Sequence, residues 1–178
     1  LMLSDLTQGG AATACRRFYR QLITDKRIEA HWLAAQGQAG DEAAIASTWP
    51  VFPSLMAWEL AKRWHLPSRL VKHAKVRLNE NSVLKWVRHF SPSLINLYNI
   101  HEGMSFRLAT RLPEQVPIVW TLQDIWPLTG YCGCNAECEK YLSGCRGTCP
   151  QAEKWGLAFR APEREWLERV DKVTHLPR

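Results

Sequence analysis

At 178 residues the chain is long enough for one domain with a sizeable core and short for two. Apolar residues make up 46% and charged residues 22%, which excludes a disordered chain, and no apolar run approaches the roughly 20 residues that a bilayer-spanning helix needs. The net charge of +6 suits phosphates, nucleic acid or an anionic membrane without choosing among them.

Residues 1–6 read as a short buried strand, followed by the tight turn Thr7-Gln8-Gly9-Gly10. A helix comes next, with Ala11, Ala14, Cys15, Phe18, Tyr19 and Leu22 at helical spacing on one face. Residues 29–34 read as a second strand and 36–47 as a loop. Residues 54–65 read as a helix between Pro53 and Pro67, and residues 81–90 as another with Val83, Leu84, Val87 and Phe90 facing in. A strand at 94–100, a short helix at 105–112 and a strand at 117–122 follow. A Cys-rich loop leads to a last helix at 162–173. This alternation predicts an α/β fold: a Rossmann-like parallel sheet with helices on both faces. Ligands of such sheets bind beyond the carboxyl ends of the strands, which here means the loops 7–10, 99–103 and 123–130.

Those loops hold the residues able to carry chemistry. Gly9 and Gly10 let a ligand approach the backbone where a helix presents unpaired N–H groups, an arrangement suited to phosphate and equally to a plain tight turn. Asn99, His101 and Glu102 stand where a strand gives way to a helix. A His beside a Glu there can bind hydroxyls or move protons, or can be satisfied by its own backbone. Gln123 and Asp124 end the next strand, where Asp124 can orient a hydroxyl or cap the following turn.

Five of the six cysteines fall within residues 132–149, at Cys132, Cys134, Cys138, Cys145 and Cys149. A secreted disulfide network would spread them more widely. A tight cluster behind an opening with no signal-peptide pattern reads as a structural zinc site in a reducing, cytoplasmic compartment, with disulfides as the alternative. The expected ligands are Cys132, Cys138, Cys145 and Cys149, leaving Cys134 spare. Between Glu59 and Glu80 lie Lys62, Arg63, Arg69, Lys72, Lys75 and Arg77 with no acid, either a solvated basic face or a peripheral contact with an anionic membrane.

Three segments together resemble the family 4 glycosyltransferases. SDLTQGGAATACRRFYRQL resembles their opening Ser-Asp…Gly-Gly-Ala segment, and LINLYNIHEG their strand leading to an Ile-His-Gly turn. The most specific match is PIVWTLQDIWPLTGYCGCNAECEKYLSGCRGTCPQ, which resembles the Trp-Thr-Leu-His-Asp-Met-Trp…Thr-Gly-Gly-Cys…Cys…Gly-Cys…Cys-Pro-Gln block of colanic-acid and capsule-type members. Residues 36–80 match only loosely. Gln123 stands where the family has His, a change that keeps hydrogen bonding and removes proton transfer. Gly133-Cys134 stands where the family has His-Tyr.

The resemblance implies the N-terminal, acceptor-side half of a GT-B fold, residues 1–178 forming a single Rossmann-like domain cut at both ends. The donor-binding C-terminal domain with its Glu-x7-Glu motif is expected outside this chain. The implied activity is a bacterial, retaining sugar transfer of hexosyltransferase type, without catalytic metal, from a nucleotide-sugar to a surface-polysaccharide or lipid-linked acceptor. The chain by itself is expected to be inactive, cytoplasmic, and peripheral on the inner face of the cytoplasmic membrane. In this reading Gly9 and Gly10 meet the donor diphosphate, His101 and Asp124 are catalytic, and Asn99, Glu102 and Gln123 bind substrate, with no nucleic acid involved. A zinc-stabilised basic nucleic-acid module is the rival, drawing on the cysteines and the charge, though the basic residues do not interleave with the cysteines. A non-catalytic sugar-binding domain is the third reading.

Overall fold

The computed structural model describes residues 1–37, 41–45, 68–100, 103–130, 132–134, 137–149 and 162–174. The chain divides into two compact units, Leu1–Thr121 and Leu122–Arg178.

The first unit is built on five parallel strands: β1 (Met2–Leu6), β2 (Trp32–Gln36), β3 (Ala44–Ile45), β4 (Ile95–Leu97) and β5 (Ile118–Trp120). Their order in the sheet is β3-β2-β1-β4-β5. The chain moves outward from β1 through β2 to β3, then returns to the other side of β1 for β4 and β5. Parallel strands in this order, alternating with helices, make the Rossmann-like α/β fold that was expected. Helix α1 (Gly10–Leu22) follows β1, and α2 (Ser68–Phe90) precedes β4.

Alternation along the strands divides the core. Met2, Trp32 and Ala34 cluster with Cys15 of α1, with Tyr19 and Leu22 packed alongside. Leu3 and Leu33 project the other way and are fully buried, as are Ile95 and Leu97 of β4. Trp32 is buried with its indole N–H satisfied, donating to Ser4 Oγ at 2.8 Å. Burying side chains of this size stabilises by about 1.5–3 kcal/mol each.

The structure corrects several boundaries. The loop expected at 36–47 contains β3, too short at two residues to show a period. The helix expected at 81–90 starts thirteen residues earlier, because 68–80 is dominated by cations that hide its periodicity. On α1, Cys15, Tyr19 and Leu22 of the expected stripe do face the core, joined by Ala12, while Phe18, expected on that stripe, is exposed. The helix expected at 105–112 is a 3₁₀ helix, Phe106–Arg111, started by Ser105, whose side chain accepts from Arg107 N–H. The helix expected at 54–65 lies outside the described residues.

The second unit contains 3₁₀ helices at Trp126–Leu128 and Lys140–Ser143 and the helix α3 (Pro162–Thr174). The Lys140–Ser143 turn ends on Gly144 in the left-handed region, with Cys145 N–H returning to Lys140 O at 2.7 Å. Left-handed Gly144, Cys145 and Gly147 make the chain double back repeatedly. Trp166 of α3 stacks above Gly144, where a side chain would meet the indole ring.

Candidate functional site

Strand order reverses between β1 and β4, so the crevice of the sheet opens beyond the carboxyl ends of these two strands. At the end of β1, Gly9 takes φ 96°, a conformation open to glycine and strained for other residues, and starts α1 without a side-chain cap. Gly10 has ordinary φ, and a β-carbon on it would meet nothing within 4 Å. The turn is held from behind: Arg16 donates to Thr7 O at 2.8 Å, and Thr13 hydroxyl to Gly9 O at 2.8 Å. The glycines therefore face open space at a helix N-terminus.

At the end of β4, Asn99 O accepts from Asp5 N–H at 2.7 Å, joining the two strand ends. The Asn99 side-chain oxygen is buried without a hydrogen-bond partner. An orphaned buried acceptor costs about 1–3 kcal/mol, and a ligand hydroxyl is one donor that would relieve it.

Sequence reading missed the residues that fix the loop after Asn99. Asp5 is buried at the end of β1, and its Oδ1 accepts from Met104 N–H at 2.9 Å. Asn79 donates to Gly103 O at 2.8 Å. Glu80 is buried, accepts from Ser105 N–H and hydroxyl, and pairs with Arg111 at 2.9 Å. Gly103 is closely approached: a β-carbon there would displace the Gln36 side-chain amide and stand 3.2 Å from Asp5 Oδ1. Three carbonyl or amide groups in succession are thus clamped by β1 and α2. The signals were faint: a lone Asp ending a strand, and Asn-Glu inside a basic stretch. His101 and Glu102 lie outside the described residues.

In the second unit, Gln123 is exposed and Asp124 is partly buried. Asp124 Oδ1 accepts from Trp126 N–H at 3.0 Å, so the carboxylate caps the Trp126–Leu128 turn, one of the two roles its position allowed. Gly133 sits against the same carboxylate, and its carbonyl accepts from Ile125 N–H at 3.0 Å.

None of the six cysteines is joined in a disulfide. Burial pushes the isolated Cys15 thiol up to about 12, the behaviour of an inert packing residue on α1. Burial likewise raises Cys132 and Cys145, against hydrogen bonds from Thr129 and from Gly130 N–H respectively. The charge of Cys149 acts on both thiols and that of Cys138 on Cys145, while Cys134 is exposed. Raised thiols are poor nucleophiles, which argues against a redox or covalent-catalytic role. Among the described residues no three His, Cys, Asp or Glu side chains already converge at a point where a metal would sit. Thiols are the donor type that suits a soft cation, but the described side chains are not gathered into a site for one, and Cys145 Sγ accepts from Gly130 N–H at 3.2 Å.

Among the described residues no helix is long and apolar enough to cross a membrane. The exposed side of α2 carries Lys75, Arg77, Lys85 and Arg88, and Glu80, the helix's lone carboxylate, is turned inside onto Arg111.

No protein-family model matches the chain, and no solved structure matches it significantly. A curated Escherichia coli (strain K12) protein named as a colanic acid biosynthesis glycosyl transferase, WcaC, is 23% identical over 161 residues, covering 82% of this chain. The chain spans 37% of that relative's length. The resemblance to glycosyltransferases of the colanic-acid type therefore rests on this relative as well as on the cysteine block.

Proposed function

We propose that the chain is the acceptor-side, N-terminal half of a retaining GT-B glycosyltransferase of hexosyltransferase type. It would act on a nucleotide-sugar donor and a surface-polysaccharide or lipid-linked acceptor in a bacterial cytoplasm. The observation that carries the reading is the β1–β4 crevice. There an open Gly9-Gly10 turn at a helix N-terminus and the orphaned Asn99 oxygen occupy the ends of adjacent strands. Backbone N–H groups at Gly9 and Gly10 would stabilise the departing diphosphate, and Asn99 would accept from a sugar hydroxyl. His101 would position or deprotonate the acceptor hydroxyl, Glu102 and Gln123 would bind substrate, and Asp124 would hold the acceptor.

The donor-binding domain would lie outside these residues, and catalysis would use no metal. Cys132, Cys138, Cys145 and Cys149 would hold a structural zinc. The cationic side of α2 would rest on the anionic inner face of the cytoplasmic membrane. The test is to express the full coding sequence and assay transfer from a panel of nucleotide-sugars to membrane lipid extracts. Donor-dependent labelling of a lipid or glycan that is lost in Asn99→Leu supports the proposal. No transfer from any donor, or labelling indifferent to Asn99→Leu, counts against it.

A further inference from the structure

Gln36 is the last residue of β2, level with Leu6 of β1, so it stands at the same edge of the sheet as the ends of β1 and β4. It is half-buried, and among the described residues its side-chain amide has no hydrogen-bond partner. The amide nitrogen lies against Gly103, in the space that a β-carbon there would take, and the amide carbon is 3.2 Å from that position. Gly103 does not adopt the left-handed conformation, so the backbone makes no demand for glycine, and what the missing side chain supplies is room. The surface under the amide is fixed. Gly103 O accepts from Asn79 at 2.8 Å, and the next amide, Met104 N–H, donates to Asp5 Oδ1 at 2.9 Å.

On the other side of β1, Asn99 Oδ1 is buried without a partner, while Asn99 O accepts from Asp5 N–H at 2.7 Å. Asp5 therefore stands between two carboxamides with unused hydrogen-bonding capacity. Gln36 offers two N–H donors, and Asn99 offers a buried acceptor. A hydroxyl both donates and accepts, so a ring carrying several hydroxyls can satisfy both groups at once. An anion would use the donors alone, leave Asn99 Oδ1 orphaned, and approach the Asp5 carboxylate. We infer that Gln36 is a sugar-binding residue of the crevice, donating to one hydroxyl of the ring whose other hydroxyl donates to Asn99 Oδ1, and that Gly103 lacks a side chain to admit this amide. The inference rests on the glycosyltransferase reading proposed above.

The test uses the full-length enzyme, with the nucleotide-sugar that wild type accepts as donor and bacterial membrane lipid extract as acceptor. KM is measured for each separately. Gln36→Ala should lower kcat/KM by about 3- to 10-fold with kcat little changed, the rate equivalent of one neutral hydrogen bond. The KM that rises names the source of the hydroxyl: that of the lipid extract for an acceptor sugar, that of the nucleotide-sugar for the donor sugar. Gly103→Ala displaces the amide and should raise the same KM. In the double variant the second substitution should add nothing, because the group it displaces is already gone. A Gln36 that serves folding alone would move urea stability and leave both KM values in place. Wild-type KM for both substrates in folded Gln36→Ala, or losses that multiply in the double variant, would overturn the inference and leave the glycosyltransferase reading standing. No transfer by wild type from any donor removes both. If Gln36→Ala does not fold, Gln36→Glu decides, since it keeps the shape and removes the donors: a raised KM supports the inference, and an unchanged one overturns it.

Discussion

Asp5 and Met104, ninety-nine residues apart, are joined by a 2.9 Å hydrogen bond from the Met104 amide to the Asp5 carboxylate. The bond fixes the far end of the loop after β4, just before the Phe106–Arg111 turn, to the end of β1, across the point where the sheet reverses. Asp5→Ala leaves a buried N–H without its acceptor, and the expected loss is about 1–3 kcal/mol of stability. Urea denaturation of the chain checks this. Faster hydrogen exchange confined to residues 103–105 would locate the effect.

Gly10 and Gly103 should respond in opposite ways. Space around Gly10 is open, and its φ is ordinary, so Gly10→Val should change stability by no more than about 0.5 kcal/mol. The same substitution puts a branched side chain where the diphosphate is proposed to approach, and turnover of the full-length enzyme should fall sharply. Gly103→Ala pushes on the end of the Gln36 side chain, which can swing aside, and stands 3.2 Å from Asp5 Oδ1, so it should cost about 1 kcal/mol, more than Gly10→Val. A fully active Gly10→Val enzyme would separate the turn from donor binding.

His101→Ala in the full-length enzyme should cost about 10²-fold or more in rate, the usual scale for a positioned acid–base group. The isolated chain should transfer no sugar. Wild-type rates in the variant would take His101 out of the mechanism, and robust transfer by the chain itself would overturn the two-domain reading.

Purified chain should carry about one zinc, and Cys134→Ser should retain it while Cys145→Ser does not. Chelation should lower the melting temperature, since binding free energy at such a site is folding free energy. Metal-free protein with two disulfides, isolated under conditions that preserve the cytoplasmic redox state, would refute the site.

The sheet was legible because its central strands are apolar runs between turn residues, and α1 because its period is clear. Three features were not. β3 is too short to carry a pattern, and the first half of α2 hides its inward residues among lysines and arginines. Phe18 fits an apolar stripe by spacing, yet the side of the helix that meets the sheet runs through Ala12, Cys15, Tyr19 and Leu22 and leaves Phe18 beside it. The glycine turn and Asn99 were found because strand ends are where α/β ligands bind. Asp5, Asn79 and Glu80 were not, since a buried polar partner is defined by what folds against it. Asp124 shows the limit from the other side: an Asp before a turn has two roles open to it, and only coordinates reveal that it caps one.

The parallel register separates two kinds of constraint along each strand. Leu3, Leu33 and Leu97 answer to one another, and their identities are limited by volume. A few residues later the constraint is mixed: Asp5, Met104 and Ser105 are held by hydrogen bonds within the fold, whereas the Gly10 position has open space around it. Substitutions at open positions such as Gly10 can therefore accumulate without loosening the sheet, and those at the clamped positions cannot. If the crevice takes the proposed substrates, a lineage could change what it accepts at open positions such as Gly10, with the clamp from Asp5, Asn79 and Glu80 keeping residues 103–105 in place.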